Sequence, residues 1–436
     1  MKPSDPFHAS LLGTCLLLSS ALAHADDWPQ WRGPTRDGVW KESGVLEKFP
    51  EPALKIKWRA PIAGGFCGPT VADGRVFVMD RITEPTETER VHCLDAVTGK
   101  NLWLCEYPCR YEIDYPQGPR ASVTIDEGLA YALGAMGHLH CLEASTGRVV
   151  WMKDLKTEYA IDIPIWGISS APLVVGGLVI LHIGGANGAC ILALDKKSGT
   201  EKWRALDDPA SYAAPILIEQ AGRQVLVCWT GANVAGISPE TGETYWTYPF
   251  KPSRMVLNVA TPIWENSHLF VSAFYDGSLM LKLFEDKPAV EEVWRRKGIN
   301  EKKTDSLHSI ISTPILAGDF IYGVDSYGEL RALNARSGDR VWEDLTAGPN
   351  VRWGTLHMVR NAGRVWIFNE LGELLIGELS PSGFKEISRA KLIEPTTSMG
   401  QRPEGQKVCW AHPAFADRHI FARNDEELVC ASLAAE

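Results

Sequence analysis

The chain has 436 residues, 45% of them hydrophobic, and a formal charge of −10 from 44 basic and 54 acidic side chains. An acidic balance without basic clusters argues against nucleic acid as the main partner. A chain this long buries a large core without staples, so its ten cysteines need not form disulfides.

Residues 1–25 have the make-up of an export signal. Lys2 gives a weak positive start, and Leu11 to Leu22 is an apolar run too short to span a bilayer as a mature helix. Ala23-His24-Ala25 then supplies the small-x-small pattern that signal peptidase reads. A lipoprotein would use Cys15 instead, but Thr14 is a poor residue before such a cysteine, and Cys15 lies inside the apolar run. Cleavage after Ala25 is expected, leaving a chain in the periplasm or outside the cell with nine cysteines, an odd number that excludes complete internal pairing. No later stretch approaches the ~20 apolar residues of a membrane span. Residues 26–53 lack a strand period. Their Trp28-Pro29-Gln30-Trp31-Arg32-Gly33-Pro34 is expected to fold back on the following domain and bury both tryptophans rather than serve as a recognition arm.

Beyond residue 53 the chain repeats itself. Cys93-Leu94-Asp95-Ala96-Val97-Thr98-Gly99, followed by Trp103, returns as Cys141 to Gly147 with Trp151, and as Ala193 to Gly199 with Trp203. Weaker copies centre on Thr241-Gly242 with Trp246 and on Ser337-Gly338 with Trp342. The tryptophans Trp103, Trp151, Trp203, Trp246, Trp294 and Trp342 are separated by 48, 52, 43, 48 and 48 positions. Each unit reads as strand, turn, strand, loop, strand, Thr-Gly turn, strand. The Asp side chain caps the turn, Gly supplies positive φ, and Trp presents a flat face to a neighbouring sheet. A period of this size belongs to propeller blades.

The expected fold is therefore all-β, a single eight-bladed β-propeller over 54–436. Its blades fall near 68–107, 120–155, 169–206, 212–250, 258–297, 308–345, 352–392 and 409–436. The fifth and seventh units lack the full turn signature; Asp286-Lys287-Pro288 and Ser380-Pro381-Ser382-Gly383 stand in for it. The last unit stops after three strands, and Leu54 to Trp58 is available as its fourth. Pairing the two ends of the chain would close the ring and remove its open edges.

These residues resemble bacterial exported proteins with pyrroloquinoline-quinone (PQQ)-like propeller repeats. The resemblance rests on Asp27-Trp28-Pro29-Gln30-Trp31-Arg32-Gly33-Pro34-Thr35-Arg36-Asp37-Gly38, the repeated Asp-x-x-Thr-Gly-x-x-x-Trp, Gly118 to Ser122 and Ile165 to Pro172. It implies one of two roles. One is a binding scaffold, like the propeller component of the outer-membrane β-barrel assembly machine. The other is a PQQ-dependent dehydrogenase (a quinoprotein) that oxidises alcohols or sugars with the quinone and calcium over the axis.

The enzyme reading is the weaker. The dehydrogenases resembled carry adjacent cysteines over the cofactor, and this chain has no Cys-Cys pair, no compact run of alternating carboxylates for calcium, no Gly-x-Ser-x-Gly elbow and no phosphate loop. No catalytic residue is assigned. Residues starting the innermost strands are expected to line the channel: Arg120, Trp166, Ser169, Tyr212, Asn258, His308, Arg352, Trp353 and Trp410. They would either bind a flat or anionic ligand or, the plainer reading, fill the tapering axis. Cys93, Cys141 and Cys430 share one place in the repeat and read as small core positions rather than metal ligands. Cys105 and Cys109 leave a local disulfide open as an alternative to two free thiols. His138 and His140 share a strand face with no third ligand at metal spacing. The expected protein is a monomeric, non-catalytic scaffold of the cell envelope that binds a protein or a small ligand, with a carbohydrate-binding propeller as a weaker third class.

Overall fold

The computed structural model describes residues 26–400, 402–403 and 405–435. The export signal and Cys15 lie outside these residues. Eight four-stranded antiparallel sheets form an eight-bladed β-propeller. Seven blades are continuous in sequence, at 70–108, 124–154, 173–205, 216–249, 263–296, 315–344 and 356–391. The eighth combines three strands from 414–432 with Lys55–Pro61, which pairs antiparallel to Glu427–Ser432, Trp58 opposite Cys430. The ring is closed by the start of the chain. Among the described residues no helix is long and apolar enough to cross a membrane.

Burial along each blade follows its radial position. The middle strands are covered on both faces and read as nearly continuous apolar runs, as in Leu178–Gly185 and Ala189–Asp195. The outermost strands alternate, as in Glu201–Ala205, where Trp203 and Ala205 are buried while Lys202 and Arg204 are exposed.

The Thr-Gly turns are local devices. Asp95 Oδ1 accepts from the Thr98 N–H at 2.8 Å, the Thr98 hydroxyl at 2.7 Å and the Val97 N–H at 3.2 Å. Gly99 then takes φ +69°, a conformation that costs an L side chain about 1–2 kcal/mol.

Each turn is also a docking point for the preceding blade. The indole N–H groups of Trp103, Trp151, Trp203, Trp294 and Trp342 donate to the carbonyls of Ala144, Lys196, Pro239, Ala335 and Ser380, at 2.8–3.1 Å. The rings lie so close that a Cβ on Gly147, Gly199 or Gly242 would meet Trp103, Trp151 or Trp203 at 2.6–2.8 Å.

Two departures have physical reasons. The outer turn of blade 5 is built around Asp286-Lys287-Pro288, and Trp246 instead donates to Gln220 Oε1 at 3.0 Å, while Gln220 Nε2 donates to the Ala289 carbonyl at 2.7 Å. A side-chain amide thus bridges what six of the seams join directly. Blade 7 carries Ser388 opposite Ile376, where the other blades have Trp. Blade 8 has no hairpin to be capped, because its outer strand comes from the chain's start. Ser388 Oγ accepts instead from the Phe49 N–H at 3.0 Å.

Cys93, Cys141 and Cys430 each sit directly opposite the blade's tryptophan. All three are buried, and burial pushes their thiols up to about 12. Cys105 and Cys109 are both free, so the disulfide alternative is not the one found.

Candidate functional site: an aromatic cavity on the axis

Residues 28–36 reach five successive blades, at the innermost strands of the first two and just ahead of those of the next three. Trp28 exchanges backbone hydrogen bonds with Val71 in blade 1, and the Pro29 carbonyl accepts from Ile125 in blade 2. The Arg36 guanidinium donates to the carbonyls of Ala171 at 3.3 Å, Pro215 at 3.1 Å and Pro172, and to Gln30 Oε1 at 2.8 Å. Those carbonyls immediately precede blades 3 and 4. Trp31 Nε1 donates to Thr261 Oγ1, ahead of blade 5, at 2.8 Å. Trp28 is buried as expected, whereas Trp31 is half-buried because one face looks into the axial cavity.

That cavity has a volume of about 140 Å³. Its collar is a chain of aromatic rings. Phe66 and Trp410 centroids are 6.2 Å apart, Trp410 and Trp353 6.2 Å, Trp353 and Trp166 5.5 Å, and Trp166 and Tyr212 5.2 Å. Tyr115 closes on both Trp166 and Trp353, at 6.0 and 6.2 Å. Tyr115 and Trp353 hold φ +55° and +63°, left-handed conformations that bulky residues adopt only where the surroundings impose them. On the side of the arm, His412 packs against Trp31 at 5.1 Å and His357 at 4.9 Å.

Of the residues expected at the channel, Arg120, Trp166, Ser169, Tyr212, Trp353 and Trp410 line this cavity. Asn258, His308 and Arg352 do not. Asn258 turns its amide to the Thr230 carbonyl at 2.8 Å. His308 is buried between the Phe274 carbonyl at 2.9 Å and the Gly298 N–H at 3.0 Å, closing loops of blades 5 and 6. Arg352 lies over the outer faces of Phe274 and Trp353, with Tyr275 Oη at 3.2 Å. Backbone groups left bare by the loops capture all these polar heads except the guanidinium of Arg352, which stacks on rings.

Position in the repeat could not point to Trp31, Phe66 or Tyr115, whereas His357, in the innermost strand of blade 7, and His412, two positions past Trp410, stand where the rule used for the others would have found them. Trp31 comes from outside the repeat, and Phe66 and Tyr115 come from loops between blades. Nor does strand spacing show that Glu89 and Cys109, from blade 1, gather around His138 of blade 2.

The polarity of the lining is specific. Arg120 gives three hydrogen bonds to the carbonyls of Gly118, Asp114 and Tyr115, and stacks over Phe66 at 5.2 Å. It presents a face to the cavity more than a fork of free donors. Burial holds the His357 imidazole down at about 4, and that of His412 well below its ordinary value, so both are neutral near pH 7. His412 Nδ1 faces the Pro413 carbonyl at 2.6 Å, while His412 Nε2 and Trp353 Nε1 are buried without a hydrogen-bond partner. Among the described residues that line the cavity there is no carboxylate. Calcium takes six to eight oxygen ligands, carboxylates foremost, so this donor set does not fit a calcium-bound quinone.

The family model described as outer membrane protein assembly factor BamB matches residues 87–344, more than half of the chain. The chain belongs to that family. BamB of Shewanella oneidensis is 22% identical over 165 residues, which are 37% of this chain and 40% of that protein. The match spans less than half of that curated relative's length. The crystal structure of BamB from Moraxella catarrhalis superposes with a TM-score of 0.56 at 16% identity, covering 87% of this chain and 99% of that one. Quinohemoprotein alcohol dehydrogenase from Comamonas testosteroni superposes with a TM-score of 0.57 at 14% identity, covering 94% and 81%. At such identities the two structures share the propeller fold with this BamB-family chain, and fold alone does not carry function.

Proposed function

We propose that this protein is a non-catalytic binding propeller of the cell envelope, whose axial cavity takes a ring-sized apolar group from a protein partner or a small ligand. The observation that carries the reading is the aromatic collar without a carboxylate. A cavity of about 140 Å³ is close to the ~150 Å³ of an apolar engineered cavity that binds benzene. It suits one ring, not a three-ring quinone with three carboxylates and a metal. The envelope location rests on the signal-like residues 1–25 and on the outer-membrane assembly role printed for the BamB relatives.

Titration of the purified protein with p-cresol or indole, followed by tryptophan fluorescence, tests the site. Saturable quenching that disappears in Trp166→Ala is expected; a linear, non-saturating response in the unaltered protein would overturn the cavity reading. Adding PQQ and Ca²⁺ tests the alternative of a dehydrogenase. No quinone absorbance should survive desalting, and no dye should be reduced with alcohols or sugars; a retained chromophore with dye reduction would make the protein an enzyme.

A further inference from the structure

We propose that Glu89, Cys109 and His138 form a zinc site between blades 1 and 2, with three protein ligands and a fourth position open to water. Glu89 lies in the strand Thr88–Asp95, Cys109 directly follows Asn101–Pro108, and His138 opens His138–Glu143. The site is distinct from the axial cavity, since none of the three residues lines it.

Geometry is the first argument. One ligand atom from each residue lies within 4.8 Å of the other two. Cys109 Sγ and His138 Nδ1 are 3.6 Å apart. Zinc–sulfur and zinc–nitrogen bonds of about 2.3 and 2.05 Å at a tetrahedral angle put those two atoms about 3.6 Å apart. A thiolate, an imidazole and a carboxylate together suit zinc and not calcium or magnesium.

Charge is the second argument. Glu89 is fully buried, and among the described residues it makes no ion pair. Its carboxylate accepts from the Tyr107 hydroxyl at 2.6 Å, the Tyr111 hydroxyl and the Ala135 N–H at 3.0 Å, with the Cys109 thiol also bonded to it. The Arg120 guanidinium acts on this carboxylate through space without pairing with it, and a metal bound by Cys109 and His138 would add a cation in direct contact. The two hydroxyls and the N–H are also what holds a ligating carboxylate in one orientation.

The third argument is space. A Cβ on Gly134 would fall 2.1 Å from Glu89 Oε2 and 2.7 Å from the Tyr107 hydroxyl. Gly134 opens the turn to Gly137 without a positive φ, so the close approach of the Glu89 carboxylate, not the backbone conformation, calls for glycine there. His138 is half-buried while Glu89 and Cys109 are buried, which leaves access for the ion and its water on the imidazole side. Binding replaces the Cys109 S–H bond by a zinc–sulfur bond and releases that proton to solvent.

Metal-free protein titrated with Co²⁺ tests the site. A thiolate-to-cobalt charge-transfer band and strong visible absorption of a tetrahedral ion should saturate at one equivalent and be displaced by Zn²⁺. The band should vanish in Cys109→Ser and persist in Cys105→Ser. Tyr111→Phe should weaken binding by about 10- to 100-fold, the usual effect of losing a group that orients a ligand. No band in the unaltered protein, or a band that survives in Cys109→Ser, overturns the proposal. Native mass spectrometry of the unaltered protein guards against a misfolded variant: one zinc retained per chain supports the site, and none retained overturns it. The outcome is independent of ligand binding on the axis.

Discussion

The indole N–H of Trp58 donates to the carbonyl of Ala96 at 2.9 Å, across the seam where the last blade meets the first. Trp58 stands in the strand that the chain's start contributes to blade 8, and Ala96 in the outer turn of blade 1. The seam uses the same contact as the seams within the chain, so ring closure is an ordinary blade junction whose two sides lie 38 residues apart. Trp58→Ala should cost about 3–5 kcal/mol, whereas Trp58→Phe, which keeps much of the packing and loses the hydrogen bond, should cost about 1 kcal/mol. Chemical denaturation of the two variants separates these terms. Equal losses would mean that the ring face contributes little.

The turn glycines give a sharper test. Gly99 and Gly74 both have φ +69°, but a Cβ on Gly99 would meet the Trp58 ring at 2.6 Å, while one on Gly74 would meet nothing within 4 Å. Gly74→Ala should cost only the conformational term, about 1–2 kcal/mol. Gly99→Ala should cost about 1–3 kcal/mol more, because it overpacks the seam. Melting curves showing the same loss for both would remove the tryptophan from the explanation.

Gln220 should behave as a relay. Gln220→Leu leaves the buried Trp246 N–H without its acceptor, at a cost of about 1–3 kcal/mol, while the Ala289 carbonyl keeps the Phe284 N–H at 3.0 Å. In Gln220→Leu combined with Trp246→Phe, the second change should add less than it does alone, since its donor has already lost its acceptor. A double-mutant cycle with strictly additive energies would show that the amide does not couple the two blades.

Arg36 ties the arm to the axis. Burial pushes its guanidinium down to about 9, yet carbonyls of two blades hold it. Arg36→Met removes the desolvated charge but strands the Ala171 and Pro215 carbonyls, while that of Pro172 keeps the Thr124 hydroxyl at 2.6 Å; the loss of about 2 kcal/mol should outweigh the gain. Limited proteolysis should then cut within residues 26–40, where the unaltered protein resists. Unchanged resistance would place the anchoring of the arm elsewhere.

Acid should destabilise the fold. Burial lowers His140, His182 and His357 from 6.5 to about 4, and lowers His308 and His412 too. These groups stay neutral in the folded chain and take up protons in the unfolded one. Their contribution is complete above pH 6.5 and is lost as the pH falls towards about 4. Glu370 runs the other way. Burial raises it to about 7 from 4.5, so its contribution is present at low pH and is lost as the pH rises through that window. Five histidines outweigh one carboxylate, and melting midpoints should fall on acidification. Glu370→Gln should make that fall steeper; a shallower one would reverse the assigned sign.

Legibility differed between the fold and the site because different distances govern them. Asp95, Gly99 and Trp103 declare a strand, a turn and a strand within a few positions, since capping, positive φ and strand alternation are local. Trp166 and Trp353 were legible as channel residues because they lie in the segments that lead into innermost strands, seven and three positions ahead of Leu173 and Leu356. His308 leads into the innermost strand of blade 6 in the same way and still misses the cavity, because the carbonyl of Phe274 and the N–H of Gly298 claim its two ring nitrogens.

The chain's own order of residues determined the repeat, the number of blades and the strand that closes the ring, because each follows from hydrogen-bonding and burial patterns that recur at a fixed spacing. Only the tertiary structure decided which side chains meet at the axis and around Glu89. Those meetings bring together the arm, inter-blade loops and neighbouring sheets. Their side chains are aimed by whichever buried backbone group is left to satisfy, which no local pattern records.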